Sequence, residues 1–66
     1  MKLREFNFND LKNSFIKING LCIRKDGKNI KEGFIGEVLN TPEVIACADD
    51  EIKETRTFFD IFVIEL

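Results

Sequence analysis

The 66 residues contain no histidine, no tryptophan and no tyrosine, and only one proline and one serine. Without histidine the commonest general base is missing, and without tyrosine so is one of its substitutes. Ser14, the one serine, has no adjacent base to activate it. The consecutive carboxylates Asp49-Asp50-Glu51 read as a solvated turn. The chain is therefore expected to be no enzyme and to need no cofactor. Zinc takes about four ligands, whereas this chain offers two cysteines, Cys22 and Cys47, 25 positions apart and in no paired motif. Flanked by apolar residues, they read as buried free thiols acting as small hydrophobes. A cross-strand disulfide is the alternative, disfavoured by the rarity of disulfides in the cytosol.

Long hydrophobic runs are missing too. None approaches the ~20 residues of a membrane span. The opening MKLREFNFND has charges and asparagines where a signal peptide has its apolar region. A cytoplasmic protein with no membrane partner is expected. The absence of tryptophan and tyrosine, with a net charge of −2, argues against direct nucleic-acid binding of the cold-shock type, which needs basic charge and stacking aromatics. Gly33-Phe34-Ile35-Gly36 matches the GxxG of a KH-type clamp by letter, but it lies in an extended apolar run without the cationic neighbours of that loop.

What is present describes one ordinary globular domain spanning residues 1–66, with 44% hydrophobic and 33% charged residues. Isoleucine, lysine, asparagine and phenylalanine dominate, the signature of an A/T-rich genome. Phe15 to Arg24 alternates as a strand, with Gly20 marking a bulge or bend. Asp26-Gly27 is the signal of a tight hairpin, and a second strand returns through Asn29 to Leu39. Asn40 to Glu43 reads as a turn around Pro42, Val44 to Ala48 as a short strand, Asp49 to Glu54 as a polar connection, and Thr55 to Leu66 as one long final strand. In the first fourteen residues Phe8, Leu11 and Phe15 have helical spacing, widened by Leu3 and Phe6. The expected fold is α+β, an N-terminal helix packed on a four-stranded antiparallel meander, with a small all-β barrel as the alternative.

The last nine residues, FFDIFVIEL, are apolar on both faces of a strand. Phe59, Ile61 and Val63 are assigned to the internal core. Phe58, Phe62, Ile64 and Leu66, interrupted by Asp60, are assigned to a surface closed by a second copy, because monomers rarely leave such a patch exposed. A two-fold homodimer is the expected arrangement.

Charge is divided along the chain. From Lys12 to Lys31 there are six cations against Asp26, whereas from Glu32 onward there are nine acids against Lys53 and Arg56. In a meander this predicts an electrically two-sided molecule that can steer a charged partner. The acidic connection, Asp49, Asp50, Glu51 and Glu54, is the candidate partner-binding element, able to imitate nucleic-acid phosphates in a basic groove of a target protein. The basic hairpin, Arg24, Lys25 and Lys28, is the alternative, a phosphate-binding site.

The opening MKLREF, the hairpin at Asp26-Gly27, the segment GFIGEVLNTPEVI and the apolar terminal strand resemble the layout of small orphan proteins of phages and mobile elements of low-GC bacteria. The resemblance implies an inhibitor of a host protein, such as a defence effector of CRISPR type. It carries over no site residues. The expected function is thus non-enzymatic binding of a host macromolecule, most simply a protein. The alternatives are sequestration of a nucleotide or other phosphorylated small molecule, and a structural or assembly subunit.

Thiol titration and intact mass after native purification are expected to find two free thiols and no bound metal; a protected disulfide or stoichiometric zinc would overturn this.

Overall fold

The computed structural model describes residues 1–12 and 18–66. Ser14 and Phe15 to Lys17, read above as the helix end and the start of the first strand, lie outside them. The architecture is a small α+β domain with one four-stranded mixed sheet. Strand β1 (Gly20–Lys25) turns through Asp26 and Gly27, both at positive φ, into the antiparallel β2 (Lys28–Phe34). This is the Asp-Gly hairpin that the sequence announces. A second hairpin, β3 (Glu54–Phe58) with β4 (Ile61–Glu65), turns through Phe59 and Asp60. The two hairpins join where β1 lies parallel to β4, in the order β2-β1-β4-β3.

Two features of the expected fold are corrected by this arrangement. The sheet is no meander, because β1 and β4 are parallel neighbours far apart in sequence, and parallel neighbours need a crossover. The long final strand is instead a hairpin: Phe58 ends β3 and Ile61 begins β4. The crossover comes from a segment expected to be extended. Ile35–Leu39 forms α2 and Pro42–Ile45 forms α3, with Thr41 as N-cap and Pro42 in the first turn, a place where its missing N–H costs nothing. Ile35, Val38 and Leu39 have i, i+3, i+4 spacing, so the apolar side of α2 falls on one face, and Val44 of α3 is buried with Cys47 of the turn that follows.

At the N-terminus a single 3-10 turn (Leu3–Glu5) and the four-residue α1 (Asn9–Lys12) stand where a longer helix was expected. This arm is held mainly by backbone. The Leu3 N–H donates to the Asp50 carbonyl and the Arg4 N–H to that of Ala48, each at 2.9 Å. Leu3 and Leu11 are buried, and the Phe6 ring lies 5.4 Å from that of Phe62.

Residues paired across the register share a face of the sheet. Leu21 opposes Phe62 and Ile23 opposes Ile64, and all four enter the core with Leu66, Val38, Val44 and Cys47. The register slips between Ile23 and Arg24, leaving Ile30 without a partner, and it turns onto the same core. The faces are therefore the reverse of those expected. Phe62, Ile64 and Leu66 are 9%, 0% and 3% exposed, so this stripe is not a self-association surface. The crossover helices lie on that side and bury it. Ile61 and Val63 face the other way, where Val63 is nevertheless buried at 7% exposure and Ile61 half-buried.

Full burial of a leucine or isoleucine contributes about 1.5–3 kcal/mol, a large share in so small a core. Phe62→Ala is expected to cost about 3–5 kcal/mol, enough to leave much of the protein unfolded, whereas Phe58→Ala is expected to cost less than about 1 kcal/mol. Denaturant melts of the two variants check this face assignment, and the opposite ranking would contradict it.

Candidate functional site

On the side away from the helices no described helix or strand packs on the sheet, and its side chains fall into transverse rows. Phe34, Gly20, Ile61 and Phe58 are register partners across all four strands. The next row is Glu32, Cys22, Val63 and Arg56, and the third is Asn29, Arg24, Glu65 and Glu54. The face thus grades from aromatic at one end to charged at the other.

The charged end is internally satisfied. Arg24 donates from Nε to Glu65 Oε1 at 2.7 Å, from Nη1 to Asn29 Oδ1 at 2.6 Å and from Nη2 to the Gly27 carbonyl at 2.8 Å. Arg56 Nη2 reaches the same Glu65 oxygen at 3.0 Å. Burial opposes ionisation of Glu65, but the hydrogen bonds from Arg56 and Arg24 outweigh it and hold the carboxyl below its usual range. Cys22 donates its thiol proton to Asn29 Oδ1 at 3.7 Å. Cys22 and Cys47 are free and buried. Burial pushes both thiols up, with the Asp50 charge adding to the effect at Cys47, which makes them poor nucleophiles. Among the described residues no three candidate ligands gather into a metal site, and no helix is long and apolar enough to cross a membrane.

Both sequence-derived charge sites fall at this end, side by side. Lys25 Nζ donates to Asp50 Oδ2 at 2.8 Å, and Lys53 lies 3.8 Å from Asp26. Asp49 pairs with Arg4, and Glu51 with the Met1 ammonium at 2.8 Å. The expected two-sided charge is thereby corrected, because parallel β1 and β4 bring the basic hairpin tip and the acidic connection together. Of the four proposed acids only Glu54 lacks an ion-pair partner among the described residues; it is exposed on β3. Of the three proposed phosphate ligands, Arg24 and Lys25 are engaged as above and Lys28 is exposed.

The aromatic end is different. Phe34, Phe58 and Phe59 are 67%, 62% and 81% exposed. The Phe58 and Phe59 rings meet edge to face, with centroids 4.7 Å apart. Phe59 has φ of +56°, in a two-residue loop position that glycine ordinarily fills. A left-handed backbone costs a bulky residue about 1–2 kcal/mol. The Asp60 carbonyl helps to hold it there, accepting the N–H groups of Asn19 at 3.0 Å and Gly20 at 3.1 Å. Beside this tip lies an open cleft of about 350 Å³, with apolar lining from Phe34 and Ile61 and carboxylates from Glu32, Glu37 and Asp60. None of these three acids takes part in an ion pair among the described residues. Of this group, sequence reasoning had placed Phe58 on a surface; Phe59, assigned there to the internal core, is corrected to an exposed turn residue.

The hydrogen bond from Lys25 draws the Asp50 carboxyl below its usual range and, reciprocally, raises the Lys25 ammonium. With Asp50 and Glu65 lowered, their stabilisation is present above the ordinary carboxylate pKa of ~4 and is lost as pH falls through the folded values. The melting temperature is therefore expected to drop on acidification below about pH 4, and less so in Asp50→Asn, which has already lost one contributor. A melting temperature indifferent to acid would contradict the assignment. No protein-family model, no curated protein and no solved structure matches this chain.

Proposed function

We propose that this chain is a non-enzymatic binding protein that docks on a protein target through the aromatic end of its open sheet face. The observation that carries the reading is the row Phe34-Gly20-Ile61-Phe58, continued by Phe59 at the hairpin tip, with its three phenylalanines exposed. Single exposed apolar side chains are ordinary. A cluster on one face marks an interaction surface, and aromatic side chains dominate the energetics of such surfaces. The backbone conformation of Phe59 supports the same reading, since a strained residue that displays its ring outward gains nothing from burial. Glu32, Glu37 and Asp60 around the cleft, in no ion pair among the described residues, suit a target that is apolar at its centre and basic at its margin.

The resemblance to small phage and mobile-element proteins makes this target a host protein, and inhibition by occlusion the mode of action. A defence effector of CRISPR type, with the basic surface that nucleic-acid handling requires, fits that chemistry. Docking would then run through the aromatic row, because Asp49, Asp50 and Glu51 are engaged within the chain. Sequestration of a phosphorylated ligand has less support, with the guanidinium of Arg24 and the ammonium of Lys25 already bonded to neighbouring groups.

Co-purification from the native host followed by affinity measurement tests the reading. Wild-type protein is expected to retain one macromolecular partner, and Phe58→Ser with Phe59→Ser to weaken it by about 30-fold or more, as for aromatic hot spots. Asp49→Asn with Asp50→Asn should leave the affinity within about threefold, as for charges at a rim. Loss of the partner in the aspartate variant alone, or recovery of a phosphorylated small molecule in place of a protein, would sink the proposal.

A further inference from the structure

Strand β3 is the least covered element of the fold. All five of its residues are exposed, Thr55 and Thr57 on the helix side included. Its register against β4 is unbroken from Glu54 to Phe58. An edge of this kind presents unpaired backbone groups and is a template for another strand unless it is short, bulged or blocked by lysine or proline. The opposite edge, β2, has such protection. It pairs with β1 through a register slip, and Lys31 shares the face of Ile23, a charge pointing to the core side of an edge. The sequence of β3, ETRTF, contains neither lysine nor proline.

We infer that two copies of this chain pair through β3, antiparallel across a two-fold axis at Thr55, into one continuous sheet. Directly opposed residues must lie on the same face, so only registers centred on a residue are admissible. Centring on Glu54 opposes two carboxylates, and centring on Arg56 opposes two guanidiniums; like charges directly opposite are unfavourable. Centring on Thr57 would bring Phe59, a turn residue at positive φ, opposite Thr55. Centring on Thr55 alone places Glu54 of each copy opposite Arg56 of the other, twice. Glu54 has no ion-pair partner within its own chain among the described residues, and the second copy supplies one. In this register the ladder runs over Glu54, Thr55 and Arg56 of each copy; it stops there because the Lys53 N–H already donates to the Glu65 carbonyl and the Ile52 N–H to that of Met1, each at 2.8 Å, and the Phe58-Phe59 tip stays outside the joint. The assembly would present two aromatic ends on the same side of the sheet.

So short a stretch of edge pairing makes a small interface, below the ~1,200 Å² of stable complexes, so association depends on concentration. Sedimentation equilibrium from about 10 µM to about 1 mM is expected to show the 7.7 kDa chain passing into a dimer and no larger species. Glu54→Arg is expected to weaken association by at least about tenfold with an unchanged circular dichroism spectrum. Thr55→Cys locates the axis: directly opposed Cα atoms lie about 4.5–5.5 Å apart, within disulfide reach, so mild oxidation should link two copies. Thr57→Cys should not link. A strict monomer at the highest concentration, association unchanged by Glu54→Arg, preferential linking of Thr57→Cys, or growth into open polymers through β2 would each overturn the inference.

Discussion

Two hairpins become one sheet only through the parallel contact of β1 with β4, and the rest of the molecule is arranged around that seam. Leu21 and Ile23 meet Phe62 and Ile64 there, and these side chains form the centre of the apolar core on the helix side of the sheet. Because β1 and β4 run the same way, the chain cannot return by a tight turn. It must cross from one edge strand to the other, and the crossing segment carries α2 and α3 over the core. Arg24 reinforces the seam from the other side, reaching Glu65 on β4 together with Asn29 and Gly27 on its own hairpin. The N-terminal arm then closes the helix side through its backbone bonds to Ala48 and Asp50.

The same seam separates the two ends of the open face. Parallel strands place their starts together and their finishes together, so Gly20 and Ile61 share one end while Arg24 and Glu65 share the other. Both hairpin tips follow from this, with Asp26-Gly27 at the charged end and Phe59-Asp60 at the aromatic end. At the charged end opposite charges find one another. At the aromatic end no described residue comes back to cover the rings of Phe34, Phe58 and Phe59. Topology therefore leaves exposed aromatic side chains along one margin of the sheet.

Local chemistry made parts of this fold legible in the sequence. Asp26-Gly27 specifies its turn because both residues tolerate positive φ, and the alternation before it marks β1. The apolarity of the terminal segment was a true signal of burial, since Phe62 and Ile64 lie under the helices and Val63 is buried on the other face. Its division was hidden. Phe59-Asp60 has no glycine, proline or asparagine, and its turn is held by the Asp60 carbonyl bonding to Asn19 and Gly20, a tertiary contact that no local pattern displays. The helical spacing of Ile35, Val38 and Leu39 was present but short, and β-branched residues around it favour an extended reading. Charge was legible as a tally along the chain and misleading as a map, because its spatial meaning depends on which strands are neighbours. The candidate aromatic end inherits that dependence: Phe34 and Phe58 share a row only by way of Gly20 and Ile61.

The position of β4 within the sheet also bears on how the chain reaches its native state. A central strand made after β1, β2 and both helices has been synthesised leaves those elements as an incomplete half-sheet. Leu21 and Ile23 then have their own hairpin and the helices for company, and no β4. Contacts between segments so distant in sequence incur the entropy of closing a long loop before they return any stabilisation. Each hairpin is local in sequence, whereas their union joins Gly20–Arg24 to Ile61–Glu65, so topology places the entropic cost of this fold at the seam and not in the ribbons.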